Sequence, residues 1–190
     1  MRRKFPQNPA GRAARTGRPG LRGDSCPLFL VGFMAAGKTA AGKALARRTG
    51  RPFVDTDALV AALARRTVPQ IFASEGEAGF RRREAKALSR AARVPRAVVA
   101  VGGGAVTRPA NVRLMRRTGT VAWLKAGYAA SARRAEGDGA AGRPLWAKGR
   151  ALYAERRPLY AAAAHLAVRS DVGSPDAVAR RLAGRLKEEA

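Results

Sequence analysis

Residues 32–39 read GFMAAGKT and fit the pattern G-x-x-x-x-G-K-[ST] of a loop that wraps phosphates. In that pattern Gly32 and Gly37 let the backbone turn so that successive N–H groups point inward. The helix that starts at Lys38 offers its positive end to the same anion. Lys38 can reach the β- and γ-phosphates of a nucleotide, and the Thr39 hydroxyl can bind Mg²⁺. The expected nucleotide-binding residues are Ala35, Ala36, Gly37, Lys38, Thr39 and Ala40.

Further along, Asp55 and Asp57 in DTD close an apolar run. On an extended segment their side chains share one side. One can hold Mg²⁺ through water, and the other can accept a hydroxyl proton. Asp57 can also cap the helix that follows. Arg81 and Glu84 stand at i, i+3 and can pair on one helix. Gly102, Gly103 and Gly104 follow another apolar run. Three glycines there give no packing benefit, and they make sense where a ligand approaches the backbone closely. Arg143 lies in the glycine-rich stretch 136–149, which resembles a lid that excludes water. Arg156, in ERRPLY, carries a planar fork suited to a carboxylate. His165 is the only histidine, and its apolar neighbours assign it to structure.

Short apolar runs alternate with helical patterns along the chain. Strands are expected at CPLFLVG, PFVDTD, RAVVAVGGG, GTVAWLK and His165–Arg169. Helices are expected over Lys38–Thr49, Asp57–Arg66, a short one through Phe72, Glu77–Arg93, Pro109–Arg117, Tyr128–Ala135, Arg150–Ala163 and Pro175–Lys187. Thr67 should cap the short helix, with Pro69 in its first turn. This alternation implies a parallel sheet with helices on both faces. Stretches 32–39, 55–57 and 102–104 then meet beyond the carboxyl ends of the strands, where such sheets bind ligands.

The chain has 190 residues and 46% hydrophobic residues, enough for one domain with a real core. No apolar run is long enough to cross a bilayer. Cys26 is the only cysteine, so no internal disulfide is possible, and a cytoplasmic location is expected. The formal charge is +25. Arginine-rich, alanine-rich composition accounts for much of it, and anionic substrates fit the rest. Residues 1–25 carry Arg2, Arg3, Lys4, Arg12, Arg15, Arg18 and Arg22 against Asp24 alone. With hardly any large apolar residue, they are expected to form a disordered basic tail ahead of a 26–190 domain.

Taken in order, GFMAAGKT, DTD, FASEGEAGFRRRE, GGGAV, GRPL and RRPLY resemble the shikimate kinases, from about residue 27 to 188. The resemblance implies a three-layer α-β-α P-loop kinase fold with a five-stranded parallel sheet. It implies Mg²⁺-dependent transfer of the ATP γ-phosphoryl to the 3-hydroxyl of shikimate, on the route to chorismate and aromatic amino acids. By matching motifs, Asp57 would hold the shikimate hydroxyls and Asp55 would sit near Mg²⁺ with Thr39. Arg81, Arg156 and the backbone of the Gly102–Gly104 stretch would bind the shikimate carboxylate, and Glu84 would orient that cluster. Lys38, Asp57 and Arg143 would be catalytic, Arg143 closing with the lid onto the nucleotide. The stretch before Pro175 would line the adenine. Arg157, beside Arg156, is an alternative carboxylate ligand. A monomer is expected.

Two other readings share some of these residues. A gluconate-type kinase would use the same phosphate loop but needs no arginine pair set against three glycines. A nucleic-acid-binding protein with a vestigial loop would suit the charge. The chain has no interleaved aromatics or recognisable nucleic-acid motif, and no catalytic residue is lost, so that main role is not expected.

Overall fold

In the computed structural model, which describes residues 25–137 and 149–188, the apolar run Leu28–Val31 forms strand β1 and is buried throughout. Burial on both faces is what a continuous apolar strand requires, and β1 is central. The sheet order is β2-β3-β1-β4-β5, with β2 at Phe53–Asp55, β3 at Val98–Ala100, β4 at Thr120–Lys125 and β5 at Leu166–Arg169. Every neighbouring pair is parallel. Leu28, Leu30, Leu124 and Val168 pack on one face against α1 (Lys38–Thr49) and α7 (Pro175–Glu188). Phe29, Val31, Val99 and Val121 pack on the other against α4 (Pro109–Thr118), α6 (Gly149–Ala163) and the end of α3 (Val68–Ala91). The fold is the expected three-layer α/β architecture with five parallel strands.

Helix α1 begins after Gly37 (φ 87°) and stops at Gly50 (φ 64°), both left-handed. The expected bounds of this helix match. The DTD stretch departs from expectation. Strand β2 stops at Asp55, whose carboxylate accepts the N–H groups of Asp57 (3.0 Å) and Ala58 (3.3 Å) and so caps α2 (Thr56–Ala64). Asp57 therefore sits in the first helical turn, not on an extended segment beside Asp55, and the cap is Asp55.

Thr67 caps α3 as expected, in a reciprocal box with Gln70. The short helix and the longer one expected from Glu77 are both present, as two arms of Val68–Ala91. They meet at Gly76, whose φ of 65° and ψ of −174° fall in a region essentially confined to glycine. Across the bend, Arg83 grips Glu75 through Nη2 (2.7 Å) and Nε (2.9 Å), and the Phe72 and Phe80 rings stack at 4.7 Å. Val60 of α2 joins Ile71, Phe80 and Ala87 in a small core of its own. Helix α5 covers Tyr128–Gly137.

One long-range hydrogen bond joins two motif-bearing strand ends. The buried Thr56 hydroxyl accepts the Gly102 N–H at 2.9 Å, linking the start of α2 to the glycine run after β3. His165 has the structural role expected of it: its N–H donates to the Val121 carbonyl at 2.8 Å, and its Nδ1 accepts the Val121 N–H at 2.9 Å. Replacing Thr56 by valine keeps the shape but leaves the buried Gly102 N–H unpaired. Thr56→Val is expected to destabilise the fold by about 1–3 kcal/mol in urea unfolding, and Thr56→Ser by clearly less. Equal losses in the two variants would mean that packing, not the hydrogen bond, matters there.

Candidate active site

The loop after β1 has the backbone its sequence demands. Gly32 has φ 150°, and a Cβ there would stand 2.7 Å from the Leu124 carbonyl oxygen, so no larger residue fits. Ala35 (φ 57°) and Gly37 (φ 87°) are left-handed, which turns successive N–H groups into an anion-binding concavity. The Lys38 ammonium lies across this loop, donating to the carbonyls of Gly32 (2.8 Å) and Phe33 (2.9 Å). Thr39 donates its hydroxyl to Asp55 Oδ2 at 2.8 Å. The α2 cap thus also fixes Asp55 beside Thr39.

A second cluster forms around the glycine run. Arg81 Nη1 donates to Glu84 Oε2 at 2.9 Å, and its Nη2 donates to Glu77 at 3.0 Å. The guanidinium lies so close to Gly104 that a Cβ there would overlap it. At Gly102 a Cβ would overlap Glu84 Oε1 and stand 2.7 Å from Asp57 Oδ1. The glycines are therefore a floor on which Asp57, Arg81 and Glu84 converge. Tyr160, fully buried, donates its hydroxyl to the Gly103 carbonyl at 2.6 Å. Arg156 is buried on the same face of α6, one turn before Tyr160, and Arg157 is exposed. Of the two arginines, Arg156 is the one that lines the cavity. Glu84 Oε1 and Arg156 Nε are buried without a hydrogen-bond partner, two polar groups left for something else to satisfy.

One cavity of about 1040 Å³ joins the two clusters. Among the expected site residues, Ala35 to Ala40, Asp55, Asp57, Arg81, Glu84, Gly102 to Gly104 and Arg156 all line it. Arg143 and most of the expected lid lie outside the described residues. Beyond the phosphate loop the cavity continues along Arg134, Gly173 and Pro175, where the adenine was expected. Arg134 is held there by donating to the Ser170 carbonyl at 2.7 Å. At the other end Phe72 and Phe80 form an apolar wall, with the Arg81 guanidinium 5.3 Å above the Phe80 ring. Sequence reasoning missed Thr56, Arg134 and Tyr160, and also this aromatic wall, although Phe72 and Phe80 both lie within the FASEGEAGFRRRE stretch.

Charge in the second cluster is tightly balanced. Burial pushes the Glu84 carboxyl up to about 7, against the pull of Arg81. Burial opposes the charge of Arg81, but Glu84 and Glu77 more than offset it, and its pKa is raised. Burial likewise pushes up the Tyr160 phenol, which stays protonated as a donor to Gly103.

The family model described as "Shikimate kinase" matches residues 34–187. The chain belongs to the shikimate kinase family. A shikimate kinase from Symbiobacterium thermophilum is 57% identical over 118 residues, spanning 62% of this chain and 68% of that protein. Another from Synechococcus elongatus is 48% identical over 118 residues, covering 62% of this chain and 60% of its own length. Among solved structures, shikimate kinase from Acinetobacter baumannii in complex with shikimate superposes with a TM-score of 0.82 at 33% identity. That match covers 86% of this chain and 94% of the other. A gluconokinase from Sinorhizobium meliloti, covering 89% of this chain and 99% of its own, has a TM-score of 0.51 at 18% identity and shares the fold alone. Family membership thus favours the shikimate kinase reading over a gluconate-type kinase or a vestigial loop.

The buried Glu84 makes this shikimate kinase fold pH-sensitive in a definite sense. Between its ordinary 4.5 and about 7, the unfolded chain has released the Glu84 proton while the folded chain keeps it. Stability is therefore lost as pH rises through that window, by roughly 3 kcal/mol from this group. Glu84→Gln lacks the titration. Its urea stability relative to the parent chain should improve by up to about that amount from pH 4.5 to pH 8. A difference independent of pH would show that Glu84 is ionised throughout.

Proposed function

We propose that this chain transfers the γ-phosphoryl group of ATP to the 3-hydroxyl of shikimate, giving ADP and shikimate 3-phosphate. The observation that carries the reading is the single cavity with a phosphate-wrapping loop at one end and an arginine-bearing, glycine-floored pocket at the other. Shikimate has one carboxylate and three hydroxyls. Arg81 and Arg156, with the Gly103 N–H, answer the carboxylate, and Asp57 answers the hydroxyls. Phe72 and Phe80 pack against the ring carbons. Glu84 acts through Arg81, holding its fork toward the acid.

At the other end the loop N–H groups and Lys38 bind the ATP phosphates, and the base lies toward Arg134 and Pro175. Thr39 and Asp55, with hard oxygen donors 2.8 Å apart beside the loop, fit a Mg²⁺ ion that takes its remaining ligands from water and phosphate. When bound, such an ion neutralises charge on the transferring phosphoryl group. In the reaction the acceptor oxygen forms its bond to the γ-phosphorus as the bond to the ADP oxygen breaks. Asp57 takes the hydroxyl proton, and Lys38 and Arg143 meet the phosphoryl charge. Most of the catalysis is positioning, and the two ends of the cavity supply it. The enzyme would serve the route to chorismate as a cytoplasmic monomer.

A coupled ADP-release assay with and without shikimate tests the reading. ADP release should depend on shikimate and saturate with it. Lys38→Ala should abolish transfer in a folded protein. Asp57→Asn should cut kcat strongly. Arg81→Lys should raise the shikimate KM by about tenfold or more, the cost of losing a charged hydrogen bond. ATP affinity without shikimate should barely change in the last two variants. ADP release indifferent to shikimate would overturn the proposal, and an Arg81→Lys effect on ATP alone would move the carboxylate site elsewhere.

A further inference from the structure

Anionic substrates of the kinase reading occupy only the cavity, and the formal charge of +25, with a pI near 11.9, extends well beyond it. The fold gathers part of that charge on one surface. In a parallel sheet the helices lead back to the strands' amino ends, so these connections share the edge opposite the cavity. Hydrogen bonds tie them in a row: Val98 N–H to Pro52, Leu28 N–H to Ala97, Thr120 N–H to Pro27, and His165 N–H to Val121. Arg48 and Arg51 precede β2 on this edge, Arg90, Arg93 and Arg96 precede β3, and Arg117 precedes β4.

Arg48, Arg90, Arg93, Arg96 and Arg117 are exposed, and none of these five has an ion pair among the described residues. The acids lie mostly elsewhere. Asp55, Asp57 and Glu84 line the cavity, Asp171 and Asp176 follow the carboxyl end of β5, and Glu75 is held by Arg83. Because β1 is the central strand, residues 1–24, with seven cations and one acid in their sequence, join the structure mid-row. Their junction is at Ser25, whose carbonyl accepts the Arg96 N–H at 3.1 Å.

We propose that this amino edge of the sheet binds nucleic acid through its phosphodiester backbone. From β2 to β4 the arginines span three strand spacings of about 4.8 Å, a row roughly 14 Å long, the length of about four base-pair steps. The cations are arginines, whose planar fork matches phosphate oxygens. No aromatic platform accompanies them, so the contacts are to phosphates and carry no base preference. A membrane surface fits less well, because attachment there needs exposed apolar side chains. Among the described residues the exposed large hydrophobics are Leu63 and Val172, in α2 and beyond β5, away from this edge. The surface faces away from the cavity, so binding and phosphoryl transfer are compatible.

The test is fluorescence anisotropy of a labelled DNA duplex of roughly 20 base pairs with the full chain, from about 50 to 200 mM salt. Five phosphate contacts should give a slope of log K against log salt of about −4 or steeper. The triple variant Arg93→Glu, Arg96→Glu, Arg117→Glu should weaken binding at least about tenfold and flatten the slope by roughly 3. Its shikimate-dependent kcat should stay within about twofold of the parent, which also reports that it folds. A control triple with the same change of charge, Arg65→Glu, Arg133→Glu, Arg180→Glu, should weaken binding far less. Three results would each overturn the proposal. The two triples could lose equal affinity, which would make the effect one of overall charge. Deleting residues 1–24 could abolish binding altogether, which would leave no role for the edge. Anionic phosphatidylglycerol vesicles could bind more tightly than the duplex at equal phosphate, which would identify a membrane surface instead.

Discussion

A carboxylate buried away from water is costly unless its neighbours meet it, and Glu84 is completely buried. Much of the glycine-floored end of the cavity is arranged around that fact. One oxygen takes Arg81 at 2.9 Å, which fixes the guanidinium over Gly104. The other faces Gly102 and Asp57 and has no hydrogen-bond partner. The absence of side chains at 102 and 104 is what leaves room for this geometry. Thr56 then holds Gly102 from one side, and Tyr160 holds Gly103 from another. The cluster is held in place by the protein's own contacts, which is the preorganisation that electrostatic recognition requires.

The sheet and its order of elements were largely legible because their signals are local. A continuous apolar run at Leu28–Val31 reads as a doubly covered strand, and Gly37 and Gly50 bracket α1. The strand-end positions of the motifs followed from the alternation of strands and helices. Local signals also misled. DTD looks extended as a tripeptide, but the Asp55 carboxylate reaches the next N–H groups and ends the strand there. The two helices read on either side of residue 76 are both present, separated by the non-helical backbone of Gly76.

What escaped sequence reading is long-range. Thr56 and Gly102 are 46 positions apart, and Tyr160 and Gly103 are 57 apart. No periodicity reports such pairs. Arg156 is different. Its choice over Arg157 was available from helical phase, since Arg156, Tyr160 and Ala163 form one buried stripe of α6. Arg134 gave no signal, because one arginine among many on a basic chain is anonymous until a fold brings it to the phosphate loop.

The bend at Gly76 divides α3 into arms of unequal mechanical standing. The second arm packs Leu88 and Ala91 into the core beneath the sheet. The first arm and α2 pack with Phe80 and Ala87 of the second arm in a smaller core, and Thr56 ties the start of α2 to Gly102. None of the first arm's residues joins the core beneath the sheet, so that arm is the less anchored of the two. The Glu75–Arg83 pair that ties it down is partly exposed to solvent and so is screened by salt. Ionic strength therefore bears on how firmly the arm carrying Phe72 is held to the arm carrying Phe80, and not on the strands that lead into the phosphate loop.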